Sequence, residues 1–157
     1  MLSSRMLQFV AVGLIWVNMP IVVLAELYTH PSGEESIIQK IVIEMWDAVE
    51  HGDLDRYMKY IHKDYTAFGE SDVYLAEGRA VEMRSMKDFI QRSNDVQTEM
   101  HQPRITINGK VAWISYYWSD RGIVNGQRYS SRGKSTRIFV KEGESWLCIH
   151  AHFTAVQ

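Results

Sequence analysis

The C-terminal part of the chain consists of long β-prone runs that are separated by tight-turn sequences. The turn signals are Asn108-Gly109, Asn125-Gly126 and Glu142-Gly143-Glu144, and Asn-Gly tolerates the positive φ angles of a hairpin turn. The runs between them are Gln97–Ile107, Val111–Asp120, Gln127–Lys141 and Ser145–Val156. Most strands have only about five or six residues, so these longer runs predict a curved antiparallel sheet with a pocket on its concave side.

The residues before these runs predict helices that cover one face of the sheet. The first helix carries an apolar stripe at helical spacing, which consists of Ile38, Ile41, Val42, Met45 and Val49. Gly52 and Asp53 are typical of a helix end and of the next N-cap. We predict short strands at Tyr65–Phe68 and Val73–Ala76, and a third helix that begins with a capping box at Ser85–Asp88. This order predicts an α+β fold with helices on one face of an antiparallel sheet.

Residues 1–25 have the features of a secretory signal peptide. Arg5 precedes an apolar stretch, and small residues stand before a cleavage site after Ala25. Cleavage there would leave residues 26–157 as a single domain, with its core at about residues 36–155. The alternative is an uncleaved signal anchor, which would attach the domain to a membrane. In both cases we expect an exported protein that is periplasmic or secreted.

The composition excludes some classes of partner and of covalent structure. The chain has 17 Lys+Arg against 19 Asp+Glu and no basic stripe, so we expect no nucleic-acid partner. Cys148 is the single cysteine, so no disulfide can form within one chain. Its place between Leu147 and Ile149 favours a buried structural thiol over a nucleophile.

Both faces of the run Val111–Asp120 are largely apolar or aromatic. Because side chains alternate along a strand, one face carries Ala112, Ile114, Tyr116 and Trp118, and the other carries Val111, Trp113, Ser115 and Tyr117. The helices can cover only one of these faces. We therefore predict self-association through the outer face of the sheet, most simply with a second copy of the chain. The alternative is that these aromatic residues pack under loops.

An ordered series of short motifs resembles the SnoaL-like group of the nuclear transport factor 2 superfamily. The motifs are Gly52-Asp53-Leu54-Asp55, Tyr57, Thr66-Ala67-Phe68, Glu77-Gly78, and Thr136-Arg137 with Gly143, Trp146, His150, His152 and Thr154. Within that group the chain is most similar to the association (hub) domain of calcium/calmodulin-dependent protein kinase II. The resemblance implies a cone-shaped, strongly curved sheet wrapped around a long N-terminal helix, with a cavity in the cone. It also implies assembly through the sheet.

The resemblance also implies a position for a ligand site. The kinase hub pocket resembles an anion site lined by several arginines, one of which matches Arg137, while two others fall at Trp118 and Phe153. The chain would thus keep one cation and present aromatic rings in place of two others. We predict that a small organic ligand binds here against these residues, Tyr116 and Phe139, with Arg137 holding its carboxylate or sulfonate group.

Two alternatives to this ligand site stay open. Arg137 could instead be a structural residue that pairs with an internal acid such as Glu44 or Asp47. The whole domain could also be an assembly hub without any small ligand.

The catalytic pattern of the ketosteroid isomerases, which share the superfamily, is not kept. The general base of those enzymes falls at Gly69 and their oxyanion-hole tyrosine at Met45. Glycine cannot accept a proton, and methionine cannot donate one to a developing enolate. A lyase or isomerase acting on a small carbonyl or cyclic compound remains an alternative, with Glu70, Asp64 or Asp120 as its candidate base.

His150 and His152 form the one pattern that suggests a metal. Two histidines separated by one residue on a strand lie on the same face, and His101 or Asp120 could supply a third ligand. The resemblance, however, places the pair on the outer face, away from the cavity. We therefore expect no metal and no cofactor, and interpret the pair as interface or hydrogen-bonded sheet residues. Protonation of the pair would loosen an oligomer near pH 6.

Overall fold

The described part of the chain comprises residues 33–70 and 73–156 of a computed structural model. The predicted signal peptide, residues 1–25, lies outside this part. Among the described residues, no helix is long and apolar enough to cross a membrane.

Three helices are present in the described residues, and they are α1 (Gly33–Glu50), α2 (Leu54–Met58) and α3 (Arg79–Arg92). The predicted stripe of α1 is buried at Ile38, Ile41, Val42 and Met45, while the fifth buried position is Ala48 rather than Val49. Gly52 follows the helix with φ of +70°. The side chain of Asp53 then caps α2 by accepting a hydrogen bond from the Arg56 backbone N at 3.0 Å.

The sheet contains six strands in the spatial order β2-β1-β6-β5-β4-β3. The strands are β1 (Ile61–Phe68), β2 (Ala76–Glu77), β3 (Ser93–Asn108), β4 (Val111–Val124), β5 (Gln127–Glu142) and β6 (Ser145–Ala155). All neighbouring strands are antiparallel except β1 and β6, which are parallel. The predicted α+β class and the long curved meander are confirmed.

The region before the long strands differs from the prediction in three places. Strand β1 begins at Ile61, four residues before the predicted start at Tyr65. Helix α3 begins at Arg79, six residues before the predicted capping box at Ser85. The chain turns sharply at Gly78, which has φ of +91°, and a glycine tolerates this angle where other residues do not. The short strand β2 begins at Ala76, which is the last residue of the predicted strand Val73–Ala76, and ends at Glu77.

The two faces of the sheet have different environments. On the inner face, which the helices cover, the β4 side chains Ala112, Ile114, Tyr116 and Trp118 are all buried. On the outer face, Val111, Trp113 and Tyr117 keep 40%, 38% and 53% of their surface exposed. The alternation predicted for this strand is therefore confirmed.

Strand β6 contains a bulge that changes which side chains face inward. Phe139 pairs with Cys148, but the preceding Ile138 pairs with His150, so Ile149 is an extra residue in β6. Because of this shift, Cys148 and Ala151 are both buried on the inner face.

Candidate functional site

A cavity of about 600 Å³ lies between the inner face of the sheet and the three helices. Its aromatic lining consists of Trp46, Tyr57, Tyr65, Phe89, Trp118 and Phe153. Its charged lining consists of Glu70, Glu82, Asp120 and Arg137. This combination of ring surfaces and a few charged groups is typical of small-molecule pockets.

Arg137 is the one cation among the described residues of this lining, and its side chain lies inside the protein. It stands on β5 opposite Ile114 of β4 and is only 3% exposed. Its Nε donates a hydrogen bond to the Tyr116 hydroxyl at 3.0 Å, and its Nη1 lies 3.8 Å from the Met45 sulfur, a weak acceptor. The guanidinium carbon lies 5.0 Å from the centre of the Phe153 ring, within the range of a cation–π contact.

No carboxylate among the described residues forms an ion pair with Arg137. The two acids considered as structural partners, Glu44 and Asp47, instead face Arg56 at 3.8 Å and 2.6 Å. The alternative that Arg137 pairs with Glu44 or Asp47 is therefore wrong. Arg137 is therefore a buried guanidinium that lines the cavity without a carboxylate partner among the described residues.

Tyr57 and Glu82 form a second buried polar pair in the cavity wall. The Tyr57 hydroxyl donates a hydrogen bond to Glu82 Oε1, and both residues are less than a tenth exposed. Burial, and then the charge of Glu82, raise the pKa of Tyr57 well above its ordinary value, so the phenol stays protonated. Glu82 was not predicted as a site residue, because α3 was predicted to begin at Ser85. The available signal was a glutamate four residues after Gly78.

A cluster of two acids and a phenol includes two residues of the cavity lining, Glu70 and Asp120. Asp120 Oδ2 is 3.4 Å from the Tyr129 hydroxyl. Burial raises the pKa of the Asp120 carboxyl. Burial, and then the charge of Asp120, raise the pKa of Glu70 and raise the pKa of Tyr129 to about 12. The third candidate base, Asp64, is not in this cluster, because its carboxylate is exposed beside Lys63 at 3.4 Å.

The five residues predicted to contact a ligand lie in three environments: the cavity lining, the contact with Arg137 and the hydrophobic core. Arg137, Trp118 and Phe153 line the cavity. Tyr116 is 3% exposed and holds the Arg137 side chain through its hydroxyl. Phe139 is fully buried in the hydrophobic core and is not among the cavity-lining residues. Ligand binding by these residues stays a prediction.

The resemblance aligned two positions with catalytic residues of ketosteroid isomerases, and of these only Gly69 lines the cavity, while Met45 is fully buried in the core. Met45 contacts Arg137, and Gly69 is part of the lining. Their side chains cannot perform the acid–base steps of those enzymes.

The bulge in β6 turns His150 and His152 toward the outer face. His150 Nδ1 is 2.8 Å from the Thr66 hydroxyl, and the Phe68 ring centre lies 6.3 Å from the His150 ring and 5.6 Å from the His152 ring. Burial, and then the neighbouring His152, lower the pKa of His150. Within residues 33–70 and 73–156, no group of three or more His, Cys, Asp or Glu residues could hold a metal ion.

Cys148 is a structural residue, as its position in the sequence indicated. It is fully buried, and burial raises the pKa of its thiol to about 11. A thiol that remains protonated at neutral pH is a poor nucleophile.

Comparison with known proteins gives the same fold and a family. The SnoaL-like domain family matches residues 38–156 of the chain. Calcium/calmodulin-dependent protein kinase type II from Caenorhabditis elegans is 26% identical over 130 residues, which are 79% of this chain but 17% of the kinase. The chain therefore spans about a sixth of the length of that relative.

Two solved structures show how far the fold is shared. An NTF2-like family protein from Streptomyces avermitilis has a TM-score of 0.74 at 13% identity, with 82% of this chain and 99% of that chain covered. The CaMKII hub of S. rosetta has a TM-score of 0.68 at 23% identity, with coverages of 81% and 100%. Likeness at these identities establishes the NTF2-like fold and no activity. Because the family match covers most of the chain, this protein belongs to the SnoaL-like domain family.

Proposed function

We propose that this chain is an exported, self-associating domain that binds a small organic ligand, with Arg137 holding an acidic group of that ligand. The observation behind the proposal is the buried guanidinium of Arg137, which lines the cavity and has no ion-pair partner among the described residues. The signal-peptide features of residues 1–25 support export to the periplasm or the medium.

The energetics of Arg137 favour an anionic partner. An arginine remains charged at every physiological pH, and a buried charge without an opposite charge is costly. The hydrogen bond to Tyr116 offsets only part of that cost, because the phenol contributes no negative charge. A ligand carboxylate in the cavity would supply the missing charge together with charge-assisted hydrogen bonds.

The rest of the cavity favours a flat or apolar ligand body. Trp118, Phe153 and Trp46 supply ring surfaces, and burial against such rings contributes more per residue than burial against smaller side chains. The volume of about 600 Å³ falls in the range of small-molecule sites.

Self-association is supported by the outer face of the sheet and by the relatives. The outer face of β4 carries Val111, Trp113 and Tyr117, and each of them keeps more than a third of its surface exposed. Among similar structures are an association domain and hubs of CaMKII. We therefore propose that copies of this chain pack through this face.

Thermal denaturation with a panel of aromatic carboxylates tests the ligand proposal. We expect at least one of benzoate, phenylacetate, indole-3-acetate and biphenyl-4-carboxylate to raise the melting temperature, since a ligand at 100 times its Kd stabilises the folded state by about 2.7 kcal/mol. Arg137→Met should remove the shift. The matched control is Arg132→Met, which replaces an exposed arginine of the same strand.

The two variants separate ligand binding from a loss of folding. Both should keep the circular dichroism spectrum of the unmodified protein before ligand is added. If Arg137→Met binds the responding carboxylate as tightly as Arg132→Met does, Arg137 is not the anchor and the proposal is wrong.

A second candidate function is an acid–base enzyme on the same cavity. It is favoured by Asp120 and Glu70, whose carboxyl pKa values burial raises toward the range useful for proton transfer. An enzyme must change its ligand, whereas a binding protein returns it unchanged. Incubating the protein with the responding compound in D₂O and recording its proton NMR spectrum distinguishes the two, because a lyase or isomerase would exchange or displace ligand protons.

A further inference from the structure

The charges that line the cavity do not match a ligand that is only an acid. Among the described residues, four charged side chains contribute to the lining, and three of them are carboxylic acids: Glu70, Glu82 and Asp120. The single cation of this described set is Arg137. A ligand carrying one negative charge would satisfy Arg137, but the rest of its body would lie beside acids that repel it.

Two of the acids, Asp120 and Glu70, occupy a different part of the cavity from Arg137. The Nε of Arg137 donates a hydrogen bond to the Tyr116 hydroxyl on β4. Asp120 lies four residues after Tyr116 on the same inner face of β4. Four residues of a strand span about 13 Å. Glu70 lies near Asp120 in the cavity lining, because the charge of Asp120 contributes to the raised pKa of the Glu70 carboxyl. Ligand groups at the two ends would therefore be on the order of 10 Å apart.

The polar groups at the Asp120 end are incompletely satisfied. Asp120 Oδ1 is a buried atom that has no hydrogen-bond partner in the described part of the chain. Its other oxygen lies 3.4 Å from the Tyr129 hydroxyl, which is long for an O–H···O bond. A donor that entered the cavity at this point would find an acceptor already in place.

An independent observation also indicates a polar ligand in this cavity. Trp118 is 5% exposed and lines the cavity, yet its indole Nε1 is a buried atom with no hydrogen-bond partner within 33–70 or 73–156. A buried donor without a partner is unfavourable unless something else supplies an acceptor.

We propose that the ligand of this cavity is amphoteric, with an acidic group at Arg137, a cationic amine at Asp120 and Glu70, and a flat apolar body against Trp118 between them. The inference rests on the proposed function and specifies its ligand class. It follows from electrostatics: an acid alone leaves the carboxylate end without a cation, and an amine alone leaves Arg137 without an anion. Only a ligand with both groups neutralises both ends.

The titration of the two acids supports this assignment. Burial disfavours their charged forms, and their mutual repulsion adds to that effect at Glu70. A ligand ammonium group between them would offset both costs.

Three probes with one common ring system test the inference by isothermal titration calorimetry. They are 4′-(aminomethyl)biphenyl-4-carboxylic acid, which has both charges, biphenyl-4-carboxylic acid, which has only the acid, and 4-(aminomethyl)biphenyl, which has only the amine. The charged groups of the first probe are separated by a distance that suits the two anchors. We expect its Kd to be at least about tenfold lower than that of either singly charged probe, the factor that about 1.4 kcal/mol provides.

Substitution of Asp120 identifies the amine anchor. Asp120→Asn keeps the size of the side chain and removes its charge, so the amphoteric probe should lose its tenfold advantage over the acid-only probe. The acid-only probe should bind this variant at least as tightly as the unmodified protein. Glu70→Gln provides a second variant at the same end. The matched control is Asp64→Asn, an exposed acid on β1 outside the cavity, which should leave all three affinities unchanged.

The outcomes separate this inference from the proposed function. If the acid-only probe binds as tightly as the amphoteric one, or if the advantage survives in both Asp120→Asn and Glu70→Gln, the amine site is refuted while binding through Arg137 stands. If none of the three probes binds the folded protein, both are refuted.

Discussion

The indole of Trp118 lies directly against the backbone of Gly133, its partner in the β4–β5 ladder. A Cβ added at residue 133 would come closer than 3.0 Å to ring atoms Cζ2 and Cε2 and to the Thr154 carbonyl oxygen. Only glycine leaves room for the ring at this point. The orientation of the Trp118 indole in the cavity wall thus depends on the absence of a side chain at residue 133 of the next strand.

Gly133→Ala should therefore destabilise the protein. The added methyl group meets both a ring and a backbone carbonyl, so relief requires movement of the strand as well as of Trp118. Overpacking of this kind costs about 1–3 kcal/mol, which urea denaturation would measure. Gly33→Ala is the control, because a Cβ there meets nothing within 4 Å. Equal stabilities for the two variants would contradict the contact.

Tyr57→Phe should also lower the free energy of unfolding. The substitution removes the hydroxyl that donates to the buried Glu82 carboxylate, and losing a partner of a buried charged group costs about 1–3 kcal/mol. Tyr60→Phe serves as the control because Tyr60 is only half-buried. Chemical denaturation of both variants at pH 7 measures the difference; a Tyr57→Phe protein as stable as the control would show that this hydrogen bond contributes nothing.

His150 should make the protein less stable in mild acid. Its pKa in the folded state lies below the ordinary value of 6.5, so the unfolded chain binds the proton more readily. The sign follows from linkage: this contribution to stability is complete above pH 6.5 and is lost as the pH falls through the lowered pKa. Unfolding free energies measured from pH 8 to 5 should fall less steeply for His150→Gln than for the exposed-site control His51→Gln. Parallel curves would show that His150 does not couple to folding.

Self-association should depend on the aromatic side chains of the outer face. Trp113→Lys introduces a charge at a position that is 38% exposed, and burying that charge in an interface without a partner would be costly. We expect light scattering to show a smaller particle for this variant than for the unmodified protein. Ile37→Lys is the control, because Ile37 is an apolar residue on α1 that is even more exposed, at 48%. If Trp113→Lys and the unmodified protein have the same mass, the outer face is not the interface.

Much of the sheet could be predicted because its signals are local. The turn at Asn125-Gly126 requires positive φ angles at both residues, and the structure has 53° and 78° there. The alternation of side chains then assigned the buried and exposed faces of β4 without further information. These features depend only on residues that are neighbours in sequence.

Other features depend on contacts that the sequence does not reveal. The capping box at Ser85 is a valid local signal, but the turn at Gly78 starts α3 earlier, so that Ser85 lies within the helix. The bulge at Ile149 has no sequence signature, although it decides that His150 faces outward. Whether Arg137 pairs with Glu44 or Asp47 also depended on tertiary structure, because Arg56 takes both acids.

The parallel pairing of β1 with β6 determines when the sheet can be completed during protein synthesis. Thr66 and His150, which touch across this pair, are 84 residues apart in sequence, and β6 also supplies the inner neighbour of β5. A nascent chain on the ribosome therefore cannot complete its sheet until residues 145–155 have emerged. Until then the edge of β1 that later pairs with β6 has unpaired backbone N–H and C=O groups. Such an edge can pair with other chains, so this edge is the one that a chaperone would have to protect.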